Sequence, residues 1–286
     1  MSFLDHIRAC NNHDPSQFIP FYVNGVGVGR VRPDFAGRLR QWPGIFTVEE
    51  DALHCRLEQR DLAGRSAAFA EILGVLDRQD VISHLHGEQY EATPDGRGAG
   101  IVHVDRAAVA YFGVRAFGQH INGYVRDGDQ IKMWIGLRSS DRKVFPGHLD
   151  NLAAGGLPAT ITLEENLLKE CWEEAAIPPG LACRARPVGA ITYCADSDKG
   201  VKPDTLFCYD LELPSDFEPR CNDDEVEAFY LMSMDEVLEI VDGSDRFKLN
   251  CNLVVTDFLV RHGYLGPEHP DYLAIVSGLH PRLPEI

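Results

Sequence analysis

The apolar positions of this chain follow two spacings, one near 3.6 residues and one of two, and the switches between them outline its elements. Residues 1–12 read as a short helix. Residues 18–31, Phe-Ile-Pro-Phe-Tyr-Val-Asn-Gly-Val-Gly-Val-Gly-Arg-Val, read as two strands joined at Asn24-Gly25, a favoured hairpin dipeptide. Pro33 to Gln41 is expected to be helical, and Phe46–Val48 and Ala52–Leu57 extended. Phe69, Ile72, Leu73 and Leu76 recur at helical spacing and predict a helix over Ser66–Arg78. Thr93-Pro-Asp-Gly-Arg-Gly-Ala-Gly100 is a loop by its turn residues, and Asp105 to Phe112 returns to helix.

The second half opens with strands at 120–125 and 130–138 around the turn Arg126-Asp-Gly-Asp129. A helix follows over Leu163–Ala176. Thr162 with Glu165 three residues on is a capping-box pattern at its start, and Pro178-Pro179-Gly180 ends it. Strands are expected at 186–194, 204–213 and 227–232. Two helices close the chain, Met234–Val241 and Leu249–His262, the latter with Leu253, Val254, Phe258 and Leu259 in one stripe. The pattern contains no internal repeat. It predicts an α/β (α+β) chain in two units, a small α+β unit over 1–104 and a larger one over 105–286.

Charge narrows the functions. The chain has 27 basic and 44 acidic residues, a net charge of −17. That argues against a general nucleic-acid binder, whose footprint is a basic patch. It leaves room for an anionic small molecule, because a bound cation inverts the local field. No apolar run reaches the length of a membrane span. The eight cysteines, at 10, 55, 171, 183, 194, 208, 221 and 251, form no C-x-x-C pair. Reduced thiols and a cytoplasmic location are the expectation, together with the absence of a signal-peptide pattern at Met1-Ser-Phe-Leu-Asp-His-Ile-Arg8.

The strongest chemical signal is Lys169-Glu-Cys-Trp-Glu-Glu174. Glu170, Glu173 and Glu174 fall at i, i+3 and i+4, on one face of the predicted helix, where like charges repel. A divalent cation removes that cost, and hard cations such as Mg²⁺ or Mn²⁺ take oxygen ligands that they share with substrate phosphates. Gly155 and Gly156 precede the helix, where glycine lets backbone approach a ligand closely.

This loop and helix resemble the signature of the Nudix family, G-x5-E-x7-R-E-U-x-E-E-x-G-U with U apolar. Gly155 matches the first glycine, Glu170, Glu173 and Glu174 the three metal-binding glutamates, and Cys171 and Ile177 the apolar places. Ile161 stands where the first glutamate belongs, Lys169 replaces the arginine and Ala176 the last glycine. The segment Met133–Gly156 and the stretch Ile121-Asn-Gly-Tyr-Val125 are similar to the thiamine-pyrophosphokinase-related branch, which also carries an N-terminal extension. The resemblance implies an α/β/α sandwich with a mixed sheet, and Mg²⁺- or Mn²⁺-dependent hydrolysis of a small organic diphosphate, with thiamine diphosphate or its oxidised derivatives suggested. It implies a metal sphere of Gly155 carbonyl, Glu170 and Glu174, with Glu173 a ligand or base. Isopentenyl-diphosphate-isomerase-like chemistry and a ligand-sensing module without turnover are the alternatives. A homodimer is left open.

Further candidates are weaker. Arg138, Arg142 and Lys143 could clamp phosphates alongside the Gly156 backbone, and Glu225 in the acidic run Asp223–Glu227 could add a metal ligand. Trp134, Tyr193, Phe207 and Tyr209 could stack on a substrate ring, although most strand aromatics are core. Gly25-x-Gly27-x-Gly29 lacks a following helix and reads as a hairpin, not a dinucleotide loop. His84, His86 and His103 sit on different patterns, and surface or core histidine is their default reading.

Overall fold

The computed structural model describes residues 1–284. In chain order the first unit contributes α1 (Phe3–Cys10), β1 (Ile19–Val23), β2 (Val26–Val31), α2 (Pro33–Arg38), β3 (Phe46–Val48), β4 (Leu53–Cys55), α3 (Leu62–Arg78), β5 (Gln89–Ala92), β6 (Val102–Asp105) and α4 (Val109–Phe112). The second adds β7 (Ala116–Asp127), β8 (Gln130–Arg138), β9 (Leu149–Asp150), β10 (Ala153–Gly156), α5 (Leu163–Ala175), α6 (Pro179–Ala182), β11 (Arg186–Ser197), β12 (Gly200–Glu212), β13 (Val226–Ser233), α7 (Met234–Gly243), α8 (Cys251–Arg261) and α9 (Tyr272–Gly278).

Local chemistry accounts for most of these boundaries. Asn24 and Gly25 both have positive φ, 50° and 83°, as a tight two-residue hairpin turn requires, so β1 and β2 pair antiparallel across them. The Asp61 carboxylate accepts the Gly64 amide and starts α3. The reciprocal Thr162–Glu165 capping box starts α5 as expected.

β2-β1-β4-β3 form one sheet, and β5 and β6 a separate hairpin. Together with α3 and α4 they enclose an apolar core running from Phe21 to Val114. That core extends past the expected boundary at 104. The first helix leaves the unit altogether: Phe3, Ile7 and Cys10 pack with α7, α8 and α9 of the larger unit. The helical stretch expected from Asp105 begins one residue later, as a 3-10 turn over Arg106–Ala108 that runs into α4, because Asp105 still pairs with Gln89 of β5.

The large sheet is mixed, in the order β11-β12-β7-β8-β13, with β10 added along β7 and β9 along β8. β12 runs parallel to β7, and the other pairs are antiparallel. Ile121 and Leu211 pack toward α5 on one face, while Tyr124, Met133 and Cys208 pack toward α1, α7 and α8 on the other. The result is the expected α/β/α sandwich, and it sets α5 directly against β10.

Gly113 joins the two units. It ends α4 at φ 58°, and a Cβ there would lie 2.0 Å from the Arg30 carbonyl oxygen and 2.7 Å from the Arg30 nitrogen. Backbone cannot yield as a flexible side chain does. Gly113→Ala is therefore expected to destabilise the protein by more than about 2 kcal/mol. Chemical denaturation monitored by circular dichroism should show it, and an unchanged midpoint would mean that the end of α4 and β2 move apart freely.

Candidate metal-dependent hydrolase site

β10 and α5 build the site together. Ala153 to Gly156 pairs with Ile121 to Gly118 of β7, which fixes the backbone of the glycine pair. Glu174 lies one helical turn beyond Glu170, and its Oε2 accepts the Ala154 amide at 2.9 Å. A Cβ on Gly155 would sit 2.1 Å from the Glu170 carboxyl carbon, so glycine is what lets the strand and the carboxylate share this space.

Only two of the three glutamates face inward. Glu170 and Glu174 are 8% and 7% exposed, and burial raises both carboxyl pKa values, Glu174 well above its usual range. The nearby Asp150 charge adds to the effect on Glu174. Lys169 opposes it at Glu170, with Nζ 3.1 Å from Glu170 and 2.9 Å from Glu173. Glu173 thus stays at the solvent edge, partnered by the lysine. A pair of desolvated carboxylates offers the hard oxygen donors that Mg²⁺ or Mn²⁺ selects, and a divalent ion supplies the charge that burial removed. Glu170 and Glu174 fit that ion, whereas the Gly155 carbonyl, expected to join them, faces β7, where Gly155 pairs with Gln119 and the neighbouring Ala154 amide turns outward to Glu174.

The acidic loop after β12 reaches the same place. Asn222 donates its amide to the Glu173 carbonyl and its side chain to the Trp172 carbonyl, each at 2.8 Å, and Arg220 donates to Ala175. These bonds satisfy the last carbonyls of α5, which a helix cannot satisfy itself. They carry Glu225 close enough for its charge to raise Glu170 further. Glu225 is also bonded to Arg142 at 2.8 Å, which places Arg142 at the rim, while Lys143 is exposed.

Arg138 departs from expectation. It is buried, with Nη1 2.8 Å from Asp150 and its other nitrogens on the Val144 and Phe145 carbonyls, so it braces β9 instead of facing a phosphate. Three of the four aromatic candidates are packed internally, Trp134 and Tyr209 against α5 and Tyr193 in the opposite core. Phe207 is half-buried, stacks on Phe117 at 6.0 Å, and pairs with Gln119, the β7 partner of Gly155. Phe207 alone of the four flanks the loop. His84 and His86 are exposed, and Gly29 packs against the Phe112 carbonyl within the hairpin.

Sequence reasoning missed the contribution of the first unit. The Tyr90 hydroxyl lies where a Gly156 Cβ would be, at 2.1 Å, and burial pushes that hydroxyl up to about 12. The Ala159 amide donates to the Gln89 carbonyl at 2.7 Å. Arg97 donates to the carbonyls of Leu157, Pro158 and Ile161 at 2.9, 3.1 and 2.6 Å. The loop between Gly156 and α5 is thus held by β5 and its following turn, at the point where Ile161 offers no carboxylate. The only prior signal was arginine inside a glycine-rich loop.

Among the described residues, the tight trio of ligand-type side chains is His120, Asp150 and Cys251. Asp150 already faces Arg138 at 2.8 Å and Lys248 at 3.2 Å, and accepts the Cys251 thiol at 2.7 Å. Burial and the Asp150 charge push that thiol well up, so the trio is a closed structural knot. From it a polar chain crosses the sheet: His120 Nδ1 to Asn151 Oδ1 (2.8 Å), Asn151 Nδ2 to Asn122 Oδ1 (2.9 Å) and Asn122 Nδ2 to Asp210 Oδ1 (3.1 Å).

Two substitutions probe this geometry. Ala176 ends α5 in the left-handed region at φ 50°, so Ala176→Gly is expected to stabilise the protein by about 1 kcal/mol and raise its melting temperature. Arg97→Ala removes three donors, and amide exchange across residues 157–162 should accelerate while that of β7 does not. Unchanged exchange would mean that the loop holds itself.

Comparison with known proteins gives this geometry a context. Residues 2–116 match a family model described as "Domain of unknown function (DUF4743)". The chain is 38% identical to "Nudix hydrolase 20, chloroplastic" of Arabidopsis thaliana over 98% of its own length and 78% of that protein's. It is 39% identical to "Nudix hydrolase 24, chloroplastic" of the same plant, over 97% and 77%. Among solved structures, DR0079 of Deinococcus radiodurans superposes with a TM-score of 0.45 at 18% identity, covering 59% of this chain and 97% of that one.

Proposed function

We propose that this chain, which belongs to the Nudix hydrolase family, hydrolyses the diphosphate linkage of a small organic diphosphate with Mg²⁺ or Mn²⁺ as its ion. The observation that carries the reading is the buried pair Glu170 and Glu174, pressed against the Gly155 backbone and short of positive charge. Thiamine diphosphate and its oxidised derivatives are the first candidates, supported by the sequence similarity of 121–125 and 133–156 to the thiamine-pyrophosphokinase-related branch.

The ion, when bound, neutralises phosphate oxygens and lowers the pKa of water. The protein supplies position. The Ala154 amide fixes one oxygen of the Glu174 carboxylate, which leaves the other free for the ion. Glu173, at the solvent edge, accepts the proton of the attacking water. The water oxygen forms the new bond to phosphorus, and the bridging P–O bond breaks with its electron pair leaving on the departing phosphate. Lys169 gives up Glu170 and Glu173 as charge enters the site. Arg142 and Lys143 stand at the rim, where the outer phosphate of a substrate meets solvent. Phe207 offers a ring face beside the loop.

A hydrolysis screen with Mg²⁺ and Mn²⁺ over thiamine diphosphate, its oxo form, nucleoside diphosphate sugars and dinucleotides tests the reading. Release of phosphate or a monophosphate is expected, and Glu174→Gln should reduce it to background with the circular dichroism spectrum unchanged. Full metal-dependent turnover in that variant would remove Glu174 from the site. Saturable binding without product would favour a sensing module, and an isomerised product the isomerase chemistry.

A further inference from the structure

At the far end of the large sheet lies a cavity of about 600 Å³ into which four arginines converge: Arg126, Arg184, Arg186 and Arg261. Its size suits a small ligand. It is separate from the glutamates. Gly155 pairs with Gln119, and Tyr124 in the cavity wall is five residues further along the same strand, roughly 17 Å away. Tyr124 also packs on Phe258, on the sheet face opposite α5.

Each carboxylate in the wall already faces an arginine. Asp210 accepts both terminal nitrogens of Arg261, at 2.6 and 3.0 Å, and a bond from Asn122, and meets His262 at 3.0 Å. Glu212 meets Arg126 at 3.2 Å and Tyr124 at 3.3 Å. Arg261 is shared with Asp257 at 2.6 Å. Four guanidinium groups against these three carboxylates leave a surplus of one positive charge, in a chain whose net charge is −17. Arg184 and Arg186 are exposed and have no carboxylate partner among the described residues. What the cavity still offers a ligand is therefore donors: two free guanidinium forks beside two others held in place. Planar forks of this kind match phosphate oxygens two at a time.

We propose that this cavity binds a small phosphate-bearing anion, such as inorganic pyrophosphate or a phosphate monoester, at a site distinct from the glutamates and independent of metal. Arg184 and Arg186 grip the anion, and the Asp210-anchored Arg261 and Glu212-anchored Arg126 form its floor.

Titration calorimetry on the full chain in metal-free buffer tests this, because the glutamate site has no cation there to hold a phosphate. Inorganic pyrophosphate and a phosphate monoester should each bind saturably and compete, and their relative affinities tell which source the site favours. Affinity should fall as salt rises, and drop roughly tenfold or more in Arg184→Ala/Arg186→Ala, whose exposed positions leave folding intact. Glu174→Gln should bind as the parent does. No saturable binding, binding unchanged by the double substitution, or binding lost in Glu174→Gln overturns the proposal. Citrate binding as tightly as pyrophosphate overturns the phosphate assignment.

Discussion

The contact between the β10 backbone and the two buried carboxylates of α5 governs the rest of the molecule. Glu174 is fixed by one amide, that of Ala154, and Glu170 lies where a side chain at Gly155 would be. An uncompensated carboxylate is costly to bury, and two side by side cost more. Such an arrangement persists only if strand and helix are each held from elsewhere. β7 holds the strand, the capping box holds the start of the helix, and Asn222 and Arg220 hold its end.

Family membership makes the altered signature intelligible. With Ile161 and Lys169 where the family signature has glutamate and arginine, these two positions form no ion pair. Arg97 grips three carbonyls of that loop from the first unit, and Lys169 turns to the glutamates instead. The N-terminal unit is therefore more than an appendage, since part of the wall of the site, Tyr90 included, belongs to it. The loop is held by a contact distant in sequence.

That distance also explains what the sequence revealed and what it hid. The helix could be read from Thr162, Glu165 and the three glutamates, because capping and charge spacing are local. The glycine pair could be read because close approach requires glycine. Arg97 and Tyr90 meet the loop across some sixty residues of chain, and no periodicity records such a contact. β5 is short and polar at alternate positions, and the strand it pairs with, β6, follows the loop it precedes, so it had no pattern to announce it. Arg138 looked like a phosphate ligand from its place at a strand end. Its partner Asp150 is twelve residues away, and nothing in the spacing fixes which way the guanidinium turns.

The polar chain through the sheet has one more consequence, for the placement of a single proton. Asp210 can only accept, so Asn122 must turn its NH₂ toward it and its oxygen toward Asn151. Asn151 must then point its own NH₂ at Asn122, which leaves its oxygen toward His120. Burial lowers the His120 pKa to about 4, so at neutral pH the ring carries one proton, and the chain of amides requires it on Nδ1. The tautomer of a histidine beside the buried cysteine is thus dictated by an aspartate on another strand, and Nε2 is left as a lone pair.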